Sequence, residues 1–245
     1  MPPKKNQQPK IRLVALFAIL VFLSMAFRPY PFRSAVFPAN HALKETKPGL
    51  YDSLNLDDMG LSRKAYDYAL AGFKKLVKEG KIQKDNLLSI LDFSLPSSKK
   101  RLFVLDLDLG VLVYNTYASH GKNSGKILPT SFSNKTNSNK SSLGFYVTGD
   151  TYTGKHGESL RLLGEEKGIN DNALKRGIVM HSASYVDENI IEQQGFIGRS
   201  LGCPALPKDV YKNIIETIKE GSCLFIYSPD KYYASHSKMI SNRTT

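Results

Sequence analysis

Short apolar runs separated by turn residues dominate the chain from Leu87 onward, and they restrict it to a mainly β fold. The runs stop after a few residues, too early for helices of ordinary length, and several alternate apolar with polar positions as a half-buried strand does. Residues such as Pro96 and Gly110 mark the turns between them. The predicted strands are 87–93, 101–107, 111–118, 143–148, 159–163, 178–181 and 223–227.

Two stretches have helical periodicity instead. Between Ser62 and Glu79 the apolar residues recur at helical spacing, with Ser62 as a candidate N-cap and Gly80 placed to end the helix. Residues 208–220 show the same spacing. The sequence therefore predicts a mainly β domain with a few helices, preceded by one amphipathic helix that packs against it.

The first 27 residues have the organisation of an export signal. Four basic residues precede an apolar run from Leu13 to Phe27. The run is short for a transmembrane span of about 20 residues, and Ser24 and Ala26 offer small residues for cleavage. The pattern predicts export to the periplasm or cell envelope. An uncleaved signal anchor, tethering the protein to the inner membrane, is the alternative.

Composition divides the rest of the chain. Residues 28–50 are rich in proline and basic residues and are predicted to be a linker. Residues 51–85 form an N-terminal helical segment, 86–229 the β domain, and 230–245 a polar C-terminal tail. Within the β domain, residues 119–143 are too poor in apolar side chains for the core and are predicted to be a loop.

The formal net charge of +12 points to an anionic environment. Nucleic acid is the weakest candidate because the basic residues are scattered and no nucleic-acid motif occurs. A cell-envelope polymer fits better with the N-terminal pattern. The two cysteines are too few for a disulfide scaffold. The His and Cys residues lack metal-ligand spacing, and no phosphate-binding loop follows a strand, so no cofactor is expected.

Cys203 and His181 are the candidate catalytic residues. Cys203 lies in a Gly-Cys-Pro turn, and His181 ends an apolar strand-like run. A thiol attacks as thiolate, which requires a base or a positive field, and a helix beginning near Pro207 would favour the thiolate. Taken alone, the same residues also fit a structural histidine and an ordinary turn.

The combination of a strand-terminal His with a later Ser-x-Gly-Cys resembles the YkuD-type L,D-transpeptidases. More narrowly, the chain resembles the murein L,D-transpeptidase catalytic domain family over residues 87–227. The motifs that carry the resemblance are 131–134, 141–144, 152–157, 168–170 and 198–205. The resemblance implies a YkuD-like β-sandwich that acts on peptidoglycan stem peptides.

The resemblance also implies roles for particular residues. Cys203 aligns with the nucleophile, which takes the acyl group from the L-centre of diaminopimelate and expels the terminal D-Ala. His181 aligns with the base, and the carbonyl of Ser182 would orient its ring. The backbone N–H groups of Gly202 and Cys203 are candidates for the oxyanion hole. Ser200 matches the family's small hydroxyl residue and is a candidate substrate contact.

Two positions depart from the broad family. Leu201 stands where a His is usual, and Ala205 stands where an Arg binds substrate. Arg199 or Arg176 is a candidate replacement, because a guanidinium binds a carboxylate through two hydrogen bonds. His156 is predicted to lie on a loop, where a substrate contact and a solvated side chain are equal alternatives.

Three functions remain open at the level of sequence. Acyl transfer to the amine of another stem is the leading hypothesis. Hydrolysis of the same acyl-enzyme, as an L,D-carboxypeptidase or endopeptidase, is the nearest alternative. The sequence does not separate the two, because loops such as 119–143 shape the acceptor site. A non-catalytic peptidoglycan-binding module is the third.

Overall fold

The computed structural model describes residues 49–155 and 157–241. The predicted export segment and nearly all of the linker, together with His156, lie outside these ranges. Inside them, no helix combines the length and the apolar character needed to cross a bilayer. The elements are α1 (Leu50–Ser53), α2 (Arg63–Lys78), β1 (Leu87–Asp92), β2 (Leu102–Asp106), β3 (Val111–Thr116), β4 (Gly144–Gly154), β5 (Gly157–Gly164), β6 (Val179–Ser182), α3 (Glu188–Gln194), β7 (Ala205–Leu206), α4 (Tyr211–Ile218), β8 (Cys223–Tyr227) and α5 (Lys231–His236).

The eight strands form a nearly closed sheet in the order β3-β2-β1-β8-β4-β5-β6-β7. Strands β1 and β8 pair in parallel, as do β6 and β7, and the other neighbours are antiparallel. The loop after β3 meets β7, where Ser119 N–H donates to the Ala205 carbonyl at 2.8 Å. A bridge between Gly121 and Ser200 continues this closing seam. The mainly β class with a few helices is confirmed, and its strands share this one curved sheet.

Helix α2 lies where the apolar spacing predicts a helix, and it packs on the sheet through an unusually close approach. Ser62 Oγ accepts a hydrogen bond from Ala65 N–H, as an N-cap does. A Cβ atom at Gly72 would lie 2.1 Å from Cζ of Phe145, so only glycine leaves room for that ring. The Phe145 ring in turn stacks on Phe225 with centroids 4.2 Å apart. Gly72 thus sets the depth at which the helix meets the core.

Several elements differ from the sequence prediction. Strand β7 and helix α3 were not predicted, because β7 has two residues and α3 buries none of its side chains. Strand β4 runs on to Gly154, beyond its apolar half. Helix α4 begins at Tyr211, later than the predicted start near Pro207, because β7 and a turn occupy the preceding residues.

The segment predicted to be a polar tail folds onto the domain through residue 240. Helix α5 is capped by Asp230 and buries Tyr233, and Met239 and Ile240 are buried as well. The buried carboxylate of Glu166 accepts hydrogen bonds from the Tyr233 hydroxyl at 3.0 Å and from Ser237 Oγ. The prediction of a tail was based on the average polarity of the segment. A few apolar residues and one buried hydrogen-bond acceptor are enough to dock it on the domain.

The polar 119–143 stretch has loop geometry but contributes to the interior. Its buried polar side chains are hydroxyl and imidazole groups, which hydrogen-bond to backbone atoms and to the side chains of Arg101, Tyr146 and Arg176. Arg101, which is fully buried, holds the start of the loop through the Ala118 carbonyl and His120 Nδ1. The sequence prediction that this stretch is too poor in apolar residues for the core is therefore wrong for part of it. The buried polar residues of the stretch are Ser119, His120, Ser124, Ser141 and Ser142.

Candidate active site

The turn that carries Cys203 lies against strand β6. His181 pairs with Ala205 in the parallel β6–β7 register, so Cys203 lies beside Val179, two residues before His181 on the strand. The Val179 N–H donates to Cys203 Sγ at 3.5 Å, and the thiol donates to the Gly177 carbonyl at 3.6 Å. The side chain is partly exposed. Val179 and His181 are two residues apart on β6 and therefore share a face, and the sulfur contacts the main chain of the strand at Val179.

The imidazole of His181 is held in one tautomer. Its Nδ1 lies 2.8 Å from the Ser182 carbonyl, which only accepts hydrogen bonds, so Nδ1 carries the proton. The lone pair of the neutral ring is therefore on Nε2. The ring is 5% exposed, and a buried, backbone-oriented imidazole with a basic Nε2 is suited to accept a proton from a thiol or an amine.

Two hydroxyl groups fix the Cys203 turn. Ser200 Oγ donates to the Cys203 carbonyl at 2.6 Å and accepts from Gly202 N–H at 3.0 Å. Ser119 Oγ lies 3.5 Å from the same carbonyl. Ser200 is 5% exposed, so it holds the turn rather than facing a substrate. The N–H of Gly202 is occupied by Ser200, whereas the N–H of Cys203 has no hydrogen-bond partner among the residues that the structure describes.

Arg176 braces the loop beside the turn. Its guanidinium donates to the Ser133 carbonyl at 2.8 Å, the Lys140 carbonyl at 2.5 Å and Ser142 Oγ at 3.1 Å. A Cβ atom at Gly202 would lie 3.3 Å from Nη2 of Arg176, so the guanidinium also borders the turn. Arg176 is half-buried, and these hydrogen bonds give its guanidinium a structural role in holding the loop. Burial lowers its pKa from the ordinary value.

Arg199 has a different environment. It is exposed, and its Nη1 donates to the carbonyls of Lys122 at 3.1 Å and Gly125 at 3.2 Å. These bonds leave Nε and Nη2 without partners among the described residues. Of the two arginines, Arg199 keeps more of its hydrogen-bonding capacity for a ligand.

Burial raises the pKa of the Cys203 thiol, while the Val179 N–H and the charge of Arg176 act in the opposite direction. The expectation of a thiolate favoured by a nearby helix N-terminus is wrong. Helix α4 begins at Tyr211, and β7 separates it from Cys203. In the resting site the sulfur is a thiol that donates to Gly177, so its attack requires a base.

Sequence reasoning missed the contribution of Ser119 and of Tyr185. Ser119 lies in a stretch without apolar periodicity, and only the closing seam of the sheet brings it to Cys203 and Ala205. Tyr185 follows β6 and packs against Gly198, two residues before Ser200. No group of three His, Cys, Asp or Glu side chains within residues 49–155 and 157–241 is arranged to hold a metal ion.

A nearly closed, mainly β sheet that brings a cysteine turn beside a strand-terminal histidine defines a YkuD-type enzyme domain. The family model described as L,D-transpeptidase catalytic domain matches residues 57–227. The chain belongs to this family.

Solved structures similar to the chain include three from different bacteria. An L,D-transpeptidase from Mycobacterium smegmatis is 16% identical, with 58% of this chain and 59% of that chain covered and a TM-score of 0.36. An L,D-transpeptidase from Stackebrandtia nassauensis is 13% identical (65% and 66% covered, TM-score 0.36). The helical cell shape determining protein Pgp2 from Campylobacter jejuni is 14% identical (70% and 58% covered, TM-score 0.38). The chain thus spans about three fifths of the length of the first of these. No curated protein matches it.

Alkylation by iodoacetamide is expected to label Cys203 much faster than Cys223. Cys203 is partly exposed, whereas Cys223 is fully buried in β8 and burial raises its pKa strongly. Only the thiolate reacts, and the pKa of Cys203 is raised above its ordinary value of 9.0. Its labelling rate should therefore be low near pH 7 and should still be rising above about pH 9. Peptide mapping by mass across a pH series measures both rates; a Cys203 rate already level near pH 7 would contradict the raised pKa.

Proposed function

We propose that the protein transfers acyl groups between peptidoglycan stem peptides through an acyl-enzyme on Cys203, with His181 as the base. One observation carries the proposal. The thiol turn lies beside β6 two residues from His181, and the imidazole tautomer leaves its basic nitrogen at Nε2. The family acts on peptidoglycan stem peptides, which supplies the substrate class.

The first step forms a thioester. The thiol gives up its contact with the Gly177 carbonyl and transfers its proton to Nε2 of His181. The sulfur attacks the carbonyl carbon at the L-centre of a stem, and the carbonyl electrons move to oxygen. When this tetrahedral intermediate collapses, the bond to D-Ala breaks, and the departing amine takes the proton from the imidazolium.

The second step breaks the thioester and regenerates the free enzyme. The amine of another stem attacks the thioester carbon and loses a proton to His181, and the sulfur of Cys203 leaves and regains that proton. Ser182 keeps the ring in the required tautomer throughout, through its carbonyl. Water in place of the amine gives hydrolysis by the same chemistry, which is the L,D-carboxypeptidase or endopeptidase alternative.

Product analysis separates transfer from hydrolysis. The purified domain is incubated with a disaccharide-tetrapeptide muropeptide, and the products are resolved by mass. Crosslinked dimers with release of D-Ala support transfer, and tripeptide alone supports hydrolysis. Absence of both products with the substrate still bound would support the third alternative, a peptidoglycan-binding module, which the match to a catalytic domain disfavours.

We further propose that Arg199 binds a carboxylate of the stem peptide. It is exposed and keeps Nε and Nη2 for a ligand, whereas the donors of Arg176 hold the 133–142 loop. Arg199→Gln is expected to raise KM about tenfold with little change in kcat, because such a contact binds ground state and transition state alike. Steady-state kinetics of D-Ala release give both constants, and an unchanged KM argues against the contact.

Export through residues 1–27 is part of the proposal. The basic and apolar pattern of this segment supports it, and the family is generally located in the cell envelope. A tagged protein should fractionate with the periplasm or envelope, and deletion of residues 2–27 should leave it in the cytoplasm. An unchanged distribution after the deletion would argue against an export signal.

A further inference from the structure

The buried imidazole of His120 connects the interior of the domain to Arg199 at the surface. Arg101 Nη2 lies 2.8 Å from His120 Nδ1, and His120 Nε2 lies 3.1 Å from the Gly125 carbonyl oxygen. The same carbonyl accepts a hydrogen bond from Arg199 Nη1 at 3.2 Å. Arg101 and His120 are fully buried, whereas Arg199 is exposed. One imidazole and one peptide carbonyl therefore join a buried guanidinium to the arginine proposed to bind the stem carboxylate.

Both neighbours of the His120 ring require the same tautomer. A guanidinium only donates, so Nδ1 accepts from Arg101, and a carbonyl only accepts, so Nε2 donates to Gly125. Phe93 packs edge-on against the ring, with the centroids 6.0 Å apart. Burial and the charge of Arg101 lower the pKa of His120 to about 4, so the ring is neutral at ordinary pH. The imidazole is thus a fixed hydrogen-bond donor toward the Gly125 carbonyl.

The two carbonyls that hold Arg199 are themselves held in different ways. The Lys122 carbonyl accepts from Arg199 Nη1 at 3.1 Å. Lys122 is fixed by the main chain, because its N–H donates to the Ser200 carbonyl at 2.8 Å and Ser200 N–H donates to the His120 carbonyl at 2.9 Å. These main-chain bonds do not depend on the side chain of residue 120. The Gly125 carbonyl, by contrast, is held by the His120 side chain.

Gly125 depends on that hydrogen bond for the orientation of its carbonyl. Among the residues that the structure describes, only His120 and Arg199 donate to this oxygen. A glycine has a wider range of backbone conformations than any other residue, so its peptide group reorients readily when it is not held. Without the His120 donor, the only remaining partner of the carbonyl is the exposed guanidinium that it should hold in place.

We propose that His120 is a positioning residue for substrate binding: its Nε2–H fixes the Gly125 carbonyl, which orients the Arg199 guanidinium toward the stem carboxylate. The inference rests on the proposed function, because it explains how the arginine of that site is held. His120 is fully buried and touches no substrate atom. Its contribution is therefore to binding of the stem peptide, and bond making at Cys203 proceeds without it.

Two substitutions separate the two hydrogen bonds of His120. An asparagine amide lies near the position of Nδ1, so His120→Asn keeps a partner for Arg101 and loses the donor to Gly125. A glutamine amide lies near the position of Nε2, so His120→Gln keeps the donor to Gly125 and leaves Arg101 without its acceptor. In the Asn variant, KM for a tetrapeptide muropeptide should rise about three- to tenfold with little change in kcat. In the Gln variant, KM should stay near the wild-type value and the thermal midpoint should fall.

A double-mutant cycle connects the effect to Arg199. In the Arg199→Gln background, His120→Asn should raise KM no further, because its effect passes through the guanidinium that is already absent. Lys135→Gln is the control, since this exposed lysine lies in the same loop and its loss should leave KM unchanged. Calorimetric titration of the muropeptide into the Cys203→Ala form of each variant gives the same comparison as a Kd, which requires no turnover.

The other outcomes overturn the inference. Equal increases in both backgrounds would mean that His120 acts independently of Arg199, and an unchanged KM and Kd in His120→Asn would mean that the Gly125 carbonyl needs no support. Equal increases in the Asn and Gln variants would indicate general damage to the loop. Failure of the proposed function has separate signatures: an unchanged KM in Arg199→Gln removes the carboxylate contact itself, and D-Ala release by Cys203→Ala removes the acyl-enzyme.

Discussion

Cys203→Ala and His181→Ala are each expected to reduce release of D-Ala from a tetrapeptide stem at least about 10³-fold, with the fold intact. The alanine in place of Cys203 removes the atom that forms the thioester. The alanine in place of His181 leaves a thiol whose pKa burial has raised, with no base to take its proton. Cys203→Ser should be nearly as inactive, because a hydroxyl is a far weaker nucleophile than a thiol at the same position. Quantifying free D-Ala measures the loss.

Matched variants distinguish this effect from general damage. Cys223→Ala removes the other thiol, which is buried in β8 away from solvent, and it should keep full turnover with a modest loss of stability. His236→Ala removes an exposed imidazole at the end of α5 and should change neither. Turnover of Cys203→Ala above a tenth of the wild-type rate would exclude the proposed acyl-enzyme.

Arg101→Met is expected to lower the free energy of unfolding by about 3 kcal/mol or more. The guanidinium is fully buried and donates to the carbonyls of Leu95 and Ala118 and to Nδ1 of His120. A methionine fills much of the same volume but donates to none of these acceptors, so the Ala118 carbonyl and His120 Nδ1 are left buried without this partner. Burial raises the pKa of the Asp92 carboxylate, and the charge of Arg101 opposes this rise, an effect lost in the variant. Chemical denaturation followed by circular dichroism measures the change.

The same substitution should reduce turnover in the protein that remains folded. Arg101 holds Ala118 and His120, which flank Ser119, and Ser119 contacts the Cys203 carbonyl. Lys100→Met serves as the control, because that side chain is exposed at the neighbouring position and should change stability by less than about 0.5 kcal/mol. Equal effects of the two substitutions would mean that the buried hydrogen bonds of Arg101 contribute nothing measurable.

Local signals in the sequence were sufficient for most strands and for helix α2. Alternation and short apolar runs predicted seven of the eight strands, since β1 to β6 and β8 each contain a short apolar or alternating run. The Ser62 cap and the helical spacing after it predicted α2 within a residue or so of its ends. These features depend on residues close in sequence, which is why they are readable without a structure.

The sequence by itself determined the mainly β class, the helix before it, and the pairing of Cys203 with His181 as candidates. Only the tertiary structure decided that Ser119, 84 residues from Cys203 along the chain, contacts its carbonyl. It also decided that Ser200 occupies the Gly202 N–H, that the polar tail docks on Glu166, and that the thiol pKa is raised. Such properties depend on groups that are distant in sequence and that exclude water from a residue or hydrogen-bond to it. These effects leave no periodic pattern along the chain, so the sequence alone does not predict them.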